Sequence, residues 1–363
     1  MGAHGVGPAV SAIHHFVPIV HRGDAVGRHT LRLRDATRAR GIGSDIFVDM
    51  VEAETSAETR PVTEYAVAAR PGDIVVYQLA TASPMAPWLA GRTETLVVNY
   101  HNITPPELLA SWDNHLALGQ VRAQQDLAVL APRTALAIAD SAYNEVHLVQ
   151  AGFARTAVVA PSAALSDDEL PAASHRIRQP EGGARWLCVG RVAPNKAIED
   201  VVAALAVARA HTDAGATLDV IGKPATAAYD TALHRYVADL GLTGAVRFGG
   251  HASDATVAEA YASCDVLVVT SAHEGFCVPV VEALRAHVPV VAYRQGALPE
   301  VLGDAGTFFE SRDPYHLAAT IAAAVAGAGQ PDAPAQQADA QLARLDLGTA
   351  AERFVDLVVG LSS

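Results

Sequence analysis

Residues 265–284 read DVLVVTSAHEGFCVPVVEAL: an apolar run, a short loop and a helix-length segment. Residues 266–270 predict a strand. Residues 279–286 predict a helix with proline near its first turn, where a missing N–H is harmless. The strand shows no alternation with polar residues, which is typical of strands buried on both faces of a parallel sheet. The stretch therefore predicts a strand–loop–helix unit of an α/β fold.

The same rhythm runs along most of the chain. In the first half, strands are predicted at 12–20, 45–50, 73–78, 95–100, 135–139 and 158–160, with helices at 25–40, 108–130 and 143–151. In the second half, further strands are predicted at 185–189, 217–221, 245–248, 288–292 and 306–309, with further helices at 196–211, 225–240, 254–263 and 314–326. Strands that alternate with helices imply right-handed βαβ units.

Two breaks in composition divide this pattern. Residues 161–183 hold an acidic run, three prolines and two glycines, which predicts a linker. Residues 327–339 form a second loose stretch before a terminal helix at 350–361, which could pack on either domain. We therefore predict an α/β chain of two tandem doubly wound Rossmann-like domains, at 1–165 (with 348–363 as a candidate addition) and 184–330. We expect them to face each other across a cleft, since open α/β sheets bind ligands at the carboxyl ends of their strands.

Composition excludes several classes of protein. Of the 363 residues, 50% are hydrophobic and 18% are charged, which indicates a well-buried globular chain. The formal net charge of −13 disfavours nucleic acid and anionic membranes as general partners. Three scattered cysteines suit a reducing compartment, and no signal peptide or membrane span is predicted, so we expect a cytoplasmic protein. Five arginines between Arg28 and Arg40 keep a peripheral membrane site open, although a solvated helix face is the commoner arrangement.

Several motifs for phosphate binding and nucleophilic catalysis are missing from the sequence. It contains no P-loop, no convincing G-x-G-x-x-G after a strand and no G-x-S-x-G elbow. No two aspartates are spaced as Asp-x-Asp, the pair that usually holds a divalent metal on a diphosphate. We therefore expect no metal and no cofactor, so that any bound diphosphate must meet positive charge from the protein itself.

Such charge follows the first strand of the second domain, in Gly190-Arg191-Val192-Ala193-Pro194-Asn195-Lys196. Arg191 offers a planar fork for phosphate oxygens, and Lys196, at the start of the next helix, offers a point charge. Taken alone this spacing is weak, since Lys196 could be a surface residue and Arg191 could pair with a carboxylate.

The loop and helix quoted first add two carboxylates, Glu274 and Glu282. Gly275 lets the backbone approach a ligand, and the amides around Cys277 and Val278 form a helix N-terminus that favours anions. Carboxylates accept hydrogen bonds from sugar hydroxyls. A pocket for a hydroxyl-rich anion is one interpretation, and two solvated surface glutamates are the other.

Together, Gly190-Arg191-x4-Lys196 and Glu274-x7-Glu282 resemble the retaining glycosyltransferases of family 4, which have the GT-B fold. The resemblance covers residues 185–326 and includes Pro289-Val290-Val291-Ala292 and the segment from Gly296 to Val301. It implies a nucleotide-sugar donor on the second domain and no metal. Arg191 and Lys196 would hold the diphosphate, Glu282 the ribose and Glu274 the sugar hydroxyls. The implied seat of the donor is the backbone of Gly275, Phe276, Cys277 and Val278.

In the first domain, the resemblance places His101 near the donor sugar and the acceptor. It assigns Gly23 and Gly27 only loosely to a glycine-rich loop near the diphosphate, and Asp24 between them could equally be a helix N-cap. The family usually has glycine at the position of Cys277, whose thiol either narrows the sugar pocket or, in our preferred reading, lies buried and inert.

We expect transfer of a sugar from a nucleoside-diphosphate sugar to an acceptor hydroxyl with retention of configuration. Arg191, Lys196 and the helix end would stabilise charge on the leaving oxygens, while a phosphate oxygen takes the acceptor's proton. The sequence leaves open whether the acceptor is a saccharide, a small molecule or a lipid-linked molecule. It also leaves the oligomeric state open. The alternatives are a nucleotide-sugar epimerase, a phosphorylase, or a binding protein that has lost turnover.

Overall fold

The strands of the chain form two parallel sheets in the computed structural model, which describes residues 10–166, 169–170, 182–327 and 333–362. The chain divides into two units. Within the described ranges, the first unit comprises 10–103, 118–163 and 346–362, and the second comprises 104–117 and 164–345. The segment 104–117, which lies inside the first predicted domain, therefore groups with the second unit.

The first unit is built on a seven-stranded sheet with strand order β3-β2-β1-β4-β5-β6-β7. Its strands are β1 (Ile13–Val17), β2 (Ile46–Val48), β3 (Thr59–Pro61), β4 (Ile74–Leu79), β5 (Thr95–Tyr100), β6 (Thr134–Ala139) and β7 (Thr156–Val158). The helices over the same stretch of chain are α1 (Ala25–Ala39), α2 (Val62–Ala68), α3 (Met85–Ala90), α4 (Glu107–Ala110), α5 (Asn114–Leu130) and α6 (Ala142–Gln150).

The second unit is built on a six-stranded sheet with order β10-β9-β8-β11-β12-β13. Its strands are β8 (Arg185–Val189), β9 (Thr217–Ile221), β10 (Val246–Gly250), β11 (Val266–Val269), β12 (Val290–Tyr293) and β13 (Thr307–Phe309). The remaining helices are α7 (Ile198–His211), α8 (Ala227–Asp239), α9 (Asp254–Ser263), α10 (Val278–Arg285), α11 (Leu298–Leu302), α12 (Pro314–Gly327), α13 (Ala333–Leu345) and α14 (Ala350–Val359).

The central strand β4 shows why these apolar runs carry no polar alternation. Successive side chains of a strand point to opposite faces of the sheet. Val75, Tyr77 and Leu79 enter the hydrophobic cluster on one face, and Ile74 and Val76 enter the cluster on the other. Helices cover both faces, so the prediction of two doubly wound Rossmann-like folds is confirmed.

The terminal helix α14 belongs to the first unit. Its Phe354, Val355 and Val358 are buried in the cluster that holds Ile74 and Val76, and the helix packs along α1. The short connection between α13 and α14 thus returns the chain from the second unit to the first.

Some element predictions were wrong. The expected helix at 108–130 is interrupted after α4, because the Asp113 carboxylate accepts hydrogen bonds from the amides of His115 and Leu116 and starts α5. Part of the expected loose stretch 327–339 is the start of α13, whose Gln341 donates to the carbonyls of Glu300 and Val301. The elements β3, α2, α3 and α11 were not predicted. Of the linker, residues 167–168 and 171–181 lie outside the described part of the chain.

The direction in which the chain winds locates the ligand edge of the second sheet. From β8 it proceeds to β9 and β10 on one side, then returns to β11, β12 and β13 on the other. The loops after β8 and β11 therefore diverge and leave a crevice at their carboxyl ends, where doubly wound folds bind ligands.

Gly119 provides a test of the packing of α5. It lies inside the helix, and a Cβ added there would have no heavy atom within 4 Å. Because alanine loses less backbone entropy than glycine in a helix, Gly119→Ala should stabilise the protein by about 0.5–1 kcal/mol in urea unfolding. The matched Gly222→Ala should destabilise it, because that Cβ would lie 1.8 Å from the carbonyl oxygen of Gly190. A loss of stability in Gly119→Ala would contradict the open surroundings of this position.

Candidate functional site

The crevice between β8 and β11 is a pocket in the second unit. It is lined by the ends of β8, β9 and β11 and by the loops that follow β8 and β11. The lining residues are Cys188, Val189, Gly190, Arg191, Lys196, Ile198, Val220, Val268, Val269, Thr270, Ser271, Glu274 and Cys277. The pocket thus brings together four of the residues singled out from the sequence, Arg191, Lys196, Glu274 and Cys277.

Lys196 is positioned by the end of the neighbouring strand. The Thr270 hydroxyl, which follows β11, lies 2.9 Å from the carbonyl oxygens of both Lys196 and Ala197. Ala197 has a left-handed backbone conformation, with φ of 48°, which is uncommon for a residue with a side chain. The tight turn and its two bonds to Thr270 hold the base of the lysine at the pocket wall.

Glu274 is fixed through its backbone and its carboxylate. The amide of Ala297 donates to the carbonyl oxygen of Glu274 over 3.1 Å. Gly296 must be glycine for this contact, because its φ is +59° and a Cβ would lie 2.5 Å from the same oxygen. At the other end, Oε1 of Glu274 lies 2.6 Å from the Ser271 hydroxyl and 2.5 Å from Lys196 Nζ.

Arg191 differs from Lys196, because no carboxylate in the described part of the chain pairs with it. Its side chain is exposed, and among the described residues none forms an ion pair or hydrogen bond with its guanidinium. The alternative in which Arg191 pairs with a carboxylate is therefore not what the structure shows. The pocket holds one neutralised cation and one that is available to an anion.

The two thiols in the pocket wall are unreactive. Burial raises the pKa of Cys188 to about 12, and burial together with the Glu274 carboxylate raises the pKa of Cys277 well above its usual value. Both thiols are therefore protonated near neutral pH, which removes them as nucleophiles. Cys277 has φ of 82°, a conformation that favours glycine.

Glu282 does not join the pocket. It is 2% exposed, and its two carboxylate oxygens accept hydrogen bonds from the Leu165 amide and the Tyr261 hydroxyl, each over 3.1 Å. Arg285, one turn further along α10, donates to the Leu165 carbonyl. In this arrangement Glu282 and Arg285 hold the backbone at Leu165. Phe276 and Val278, also predicted for the donor seat, are buried beside Cys277.

In the first unit, His101 lies in a buried polar network at the carboxyl ends of β4, β5 and β6. Its Nδ1 is 2.9 Å from the Asp140 carboxylate, and its Nε2 is 2.7 Å from Gln78 Oε1. The Asn99 amide joins Gln78 to His29, and Gln78 also contacts His15. Because both ring nitrogens are engaged within the unit, this geometry does not support the expected contact between the imidazole and a sugar.

The predicted glycine loop of the first unit proves to be a helix start. Asp24 is the N-cap of α1, and its carboxylate accepts the Gly27 amide over 2.6 Å. Gly27 packs directly on the chain, because a Cβ there would lie 2.0 Å from the carbonyl oxygen of His21. Gly23 is exposed in the preceding loop. The N-cap alternative for Asp24 is confirmed.

The arginines of α1 are largely used inside the first unit. Arg34 contacts Asp35 and Glu58, Arg38 contacts Asp45, and Arg40 contacts Asp356. Arg32 donates to the Ser162 carbonyl over 3.3 Å. The helix therefore presents a network of paired charges in place of the basic face that an anionic membrane would attract.

Thr270, Ser271 and Gly296 support the site and were missed by the sequence reasoning. Thr270 and Ser271 are two polar residues directly after an apolar strand, and that position was the available signal. Their partners could not have been found, since Thr270 bonds to a segment more than 70 residues away in the sequence.

Comparison with known proteins gives matches both in sequence and in fold. Residues 172–341 match the family model of glycosyl transferases group 1. Anabaena HepE, solved in complex with UDP-glucose, superposes with a TM-score of 0.75 at 20% identity, covering 96% of this chain and 99% of HepE. Sucrose-phosphate synthase from Thermosynechococcus elongatus gives a TM-score of 0.76 at 17% identity, covering 96% of this chain and 99% of that one. The predicted resemblance to GT-B glycosyltransferases is confirmed.

Among relatives in sequence, a D-inositol 3-phosphate glycosyltransferase of Streptosporangium roseum is 29% identical over 70% of this chain and 60% of its own length. A D-inositol 3-phosphate glycosyltransferase 2 of Catenulispora acidiphila is 33% identical over 46% of this chain and 40% of its own length. The chain described here thus aligns with about half the length of these relatives.

The buried histidines of the first unit predict a loss of stability in acid. Burial lowers the pKa of His15 to about 3 and that of His29 well below its usual value. The unfolded histidines bind protons below about pH 6.5 while the folded ones stay neutral, so their contribution to stability is present above that pH and is lost as the pH falls. The free energy of unfolding, measured in urea, should fall between pH 7.5 and pH 5.5. In His15→Gln this fall should be smaller than in the wild type by about 1.4 kcal/mol. A change of the same size in the exposed control His115→Gln would contradict this assignment.

A second prediction concerns Glu282 and can be tested without any ligand. Glu282→Ala leaves the Leu165 amide without its acceptor and leaves the Tyr261 hydroxyl with the Pro279 carbonyl, so the free energy of unfolding should fall by about 1–3 kcal/mol. Glu282→Gln keeps one carbonyl acceptor and should lose less. Equal stability of the alanine variant and the wild type would show that the carboxylate is not engaged as described.

Proposed function

We propose that this chain is a retaining glycosyltransferase that moves a sugar from a nucleoside-diphosphate sugar to an acceptor hydroxyl. The observation that carries the proposal is the pocket between β8 and β11, which gathers Arg191, Lys196 and Glu274 at the ligand edge of the sheet. The HepE structures with UDP and UDP-glucose and the relatives named as glycosyltransferases support a nucleotide-sugar donor. Retention, the mechanism of family 4, rests on the resemblance.

The charges of the pocket fit the two parts of such a donor. The exposed Arg191 guanidinium suits a diphosphate, for which it offers paired N–H donors. Lys196 adds a second cation on the same wall, while the Glu274 carboxylate accepts hydrogen bonds from sugar hydroxyls. The proposal includes independence from metal, because Arg191 and Lys196 supply the positive charge that a cation would otherwise bring to the leaving phosphate.

The same groups account for the chemistry. As the bond between the sugar and the diphosphate breaks, negative charge grows on the leaving oxygen, and cations held in position by the protein stabilise it more than water does. The acceptor hydroxyl then attacks from the face that the diphosphate leaves, and a phosphate oxygen takes its proton. The protonated thiols of Cys188 and Cys277 are unsuited to a covalent glycosyl intermediate.

The acceptor is left open as a saccharide, a small molecule or a lipid-linked molecule. The relatives named for D-inositol 3-phosphate favour a small hydroxylated acceptor. The paired arginines of α1 give no support to a membrane-bound one. No helix among the described residues combines the length and the apolar character needed to cross a bilayer.

A ligand panel tests the donor pocket. The ligands are UDP, GDP and ADP and the nucleotide sugars that each forms with glucose or mannose. Thermal unfolding is followed with each ligand for the wild type, Arg191→Gln and Arg235→Gln. A selective ligand at about 100 times its Kd should stabilise the wild type by about 2.7 kcal/mol. Arg191→Gln should weaken binding by roughly 10–100-fold, as expected for a charged hydrogen bond. Arg235, 82% exposed on α8, is the matched control and should bind like the wild type.

Turnover of the selected donor, followed by NMR, separates the alternatives. A transferase should slowly release sugar and nucleoside diphosphate into water, and the first anomer formed should keep the configuration of the donor. A ring epimer formed without release of diphosphate indicates an epimerase, and dependence on inorganic phosphate indicates a phosphorylase. Binding without any turnover indicates a binding protein, and no stabilisation by any nucleotide would overturn the nucleotide-sugar proposal.

A further inference from the structure

The Glu274 carboxylate in the pocket has two partners. The Oε1 atom of Glu274 lies 2.5 Å from Lys196 Nζ and 2.6 Å from the Ser271 hydroxyl. The side chains of Lys196 and Glu274 are 24% and 9% exposed, so the pair is largely withdrawn from water. The cation expected to meet a diphosphate is therefore already neutralised by the carboxylate expected to meet the sugar.

Building on the proposed function, we propose that the Lys196–Glu274 pair makes the pocket discriminate between the intact nucleotide sugar and the nucleoside diphosphate left after transfer. A diphosphate oxygen that binds Lys196 has to displace the Glu274 carboxylate. The displaced carboxylate is then an anion beside another anion in a poorly hydrated site, which is costly unless it finds new hydrogen-bond donors. Sugar hydroxyls are such donors, and a free nucleoside diphosphate carries no sugar on its terminal phosphate.

The surrounding structure prevents Glu274 from leaving the pocket. Its carbonyl oxygen is held by the Ala297 amide and packs against Gly296. The Ser271 hydroxyl remains beside the carboxylate, and the Cys277 thiol nearby is a weak hydrogen-bond donor. The backbone of Lys196 is likewise fixed by Thr270. The two charged groups therefore stay close, and the exchange of partners is confined to their side-chain ends.

The consequence is a pocket that favours the donor over its product. The nucleotide sugar replaces the Lys196–Glu274 pair with two new contacts, whereas the nucleoside diphosphate replaces it with one. Glu274 thus acts as a specificity-determining residue in two ways, by bonding the sugar and by weakening the hold on the product.

A double-mutant cycle tests the exchange. Kd values for UDP, or for whichever nucleoside diphosphate the panel selects, are measured by calorimetry on the wild type, Glu274→Gln, Lys196→Met and the double variant. If the two groups compete, Glu274→Gln should tighten binding about tenfold when Lys196 is present and by less than about twofold when it is replaced. Removal of a nearby negative charge alone would tighten binding equally in both backgrounds, and that result would overturn the proposal.

The nucleotide sugar provides the second arm. The wild type should bind the nucleotide sugar more tightly than the nucleoside diphosphate. Glu274→Gln should reduce the ratio of these affinities about tenfold or more, chiefly because it binds the nucleoside diphosphate more tightly. An unchanged preference would also overturn the proposal. Thermal unfolding of the ligand-free variants checks that each is folded. Failure of the wild type to bind any nucleotide is a different result, because it overturns the proposed function and this inference with it.

Discussion

The contact between Lys196 and Glu274 ties together two loops that leave neighbouring strands and then diverge. Its position depends on the order of the second sheet, because β8 and β11 are adjacent although 76 residues separate their ends, at Val189 and Val266. Thr270 and Ser271 at the end of β11 hold one partner each, through the Lys196 carbonyl and the Glu274 carboxylate. The pocket, its charge balance and its proposed chemistry all follow from this junction.

The two units use polar groups at their carboxyl edges in different ways. In the second unit, Arg191 remains unpaired among the described residues, so charge is available to a ligand. In the first unit, Asp140 and Gln78 engage both ring nitrogens of His101, and burial keeps neighbouring histidines neutral. The arrangement in the second unit suits binding of an anion. The network in the first unit rigidifies the strand ends on which a further site would be built.

The sequence predicted the fold well where the pattern was strong and local. Apolar runs located β4, β5, β8 and β11 to within one or two residues, since burial on both faces leaves little room for polar side chains. Short elements such as β3 and α11, with three and five residues, are too short for their periodicity to be recognised. The break between α4 and α5 depended on the Asp113 cap, and α13 on contacts made by Gln341 to a distant loop.

The site was predicted in its residue types and less well in its partners. Arg191, Lys196 and Glu274 share one pocket, as their positions at strand ends suggested. The sequence could not show that Glu282 turns towards Leu165 and Tyr261, or that both nitrogens of His101 are engaged. Such contacts join segments far apart in the chain, and one sequence alone carries no signal for them.

The return of α14 to the first unit bears on how the chain is made. A ribosome releases the first sheet early, yet the face of that sheet that α14 covers, around Ile74 and Val76, stays open until the last helix emerges. The second unit has by then been synthesised in full and can fold first. The nascent first unit therefore keeps this apolar surface uncovered until α14 is made, and such surface favours aggregation of a folding intermediate.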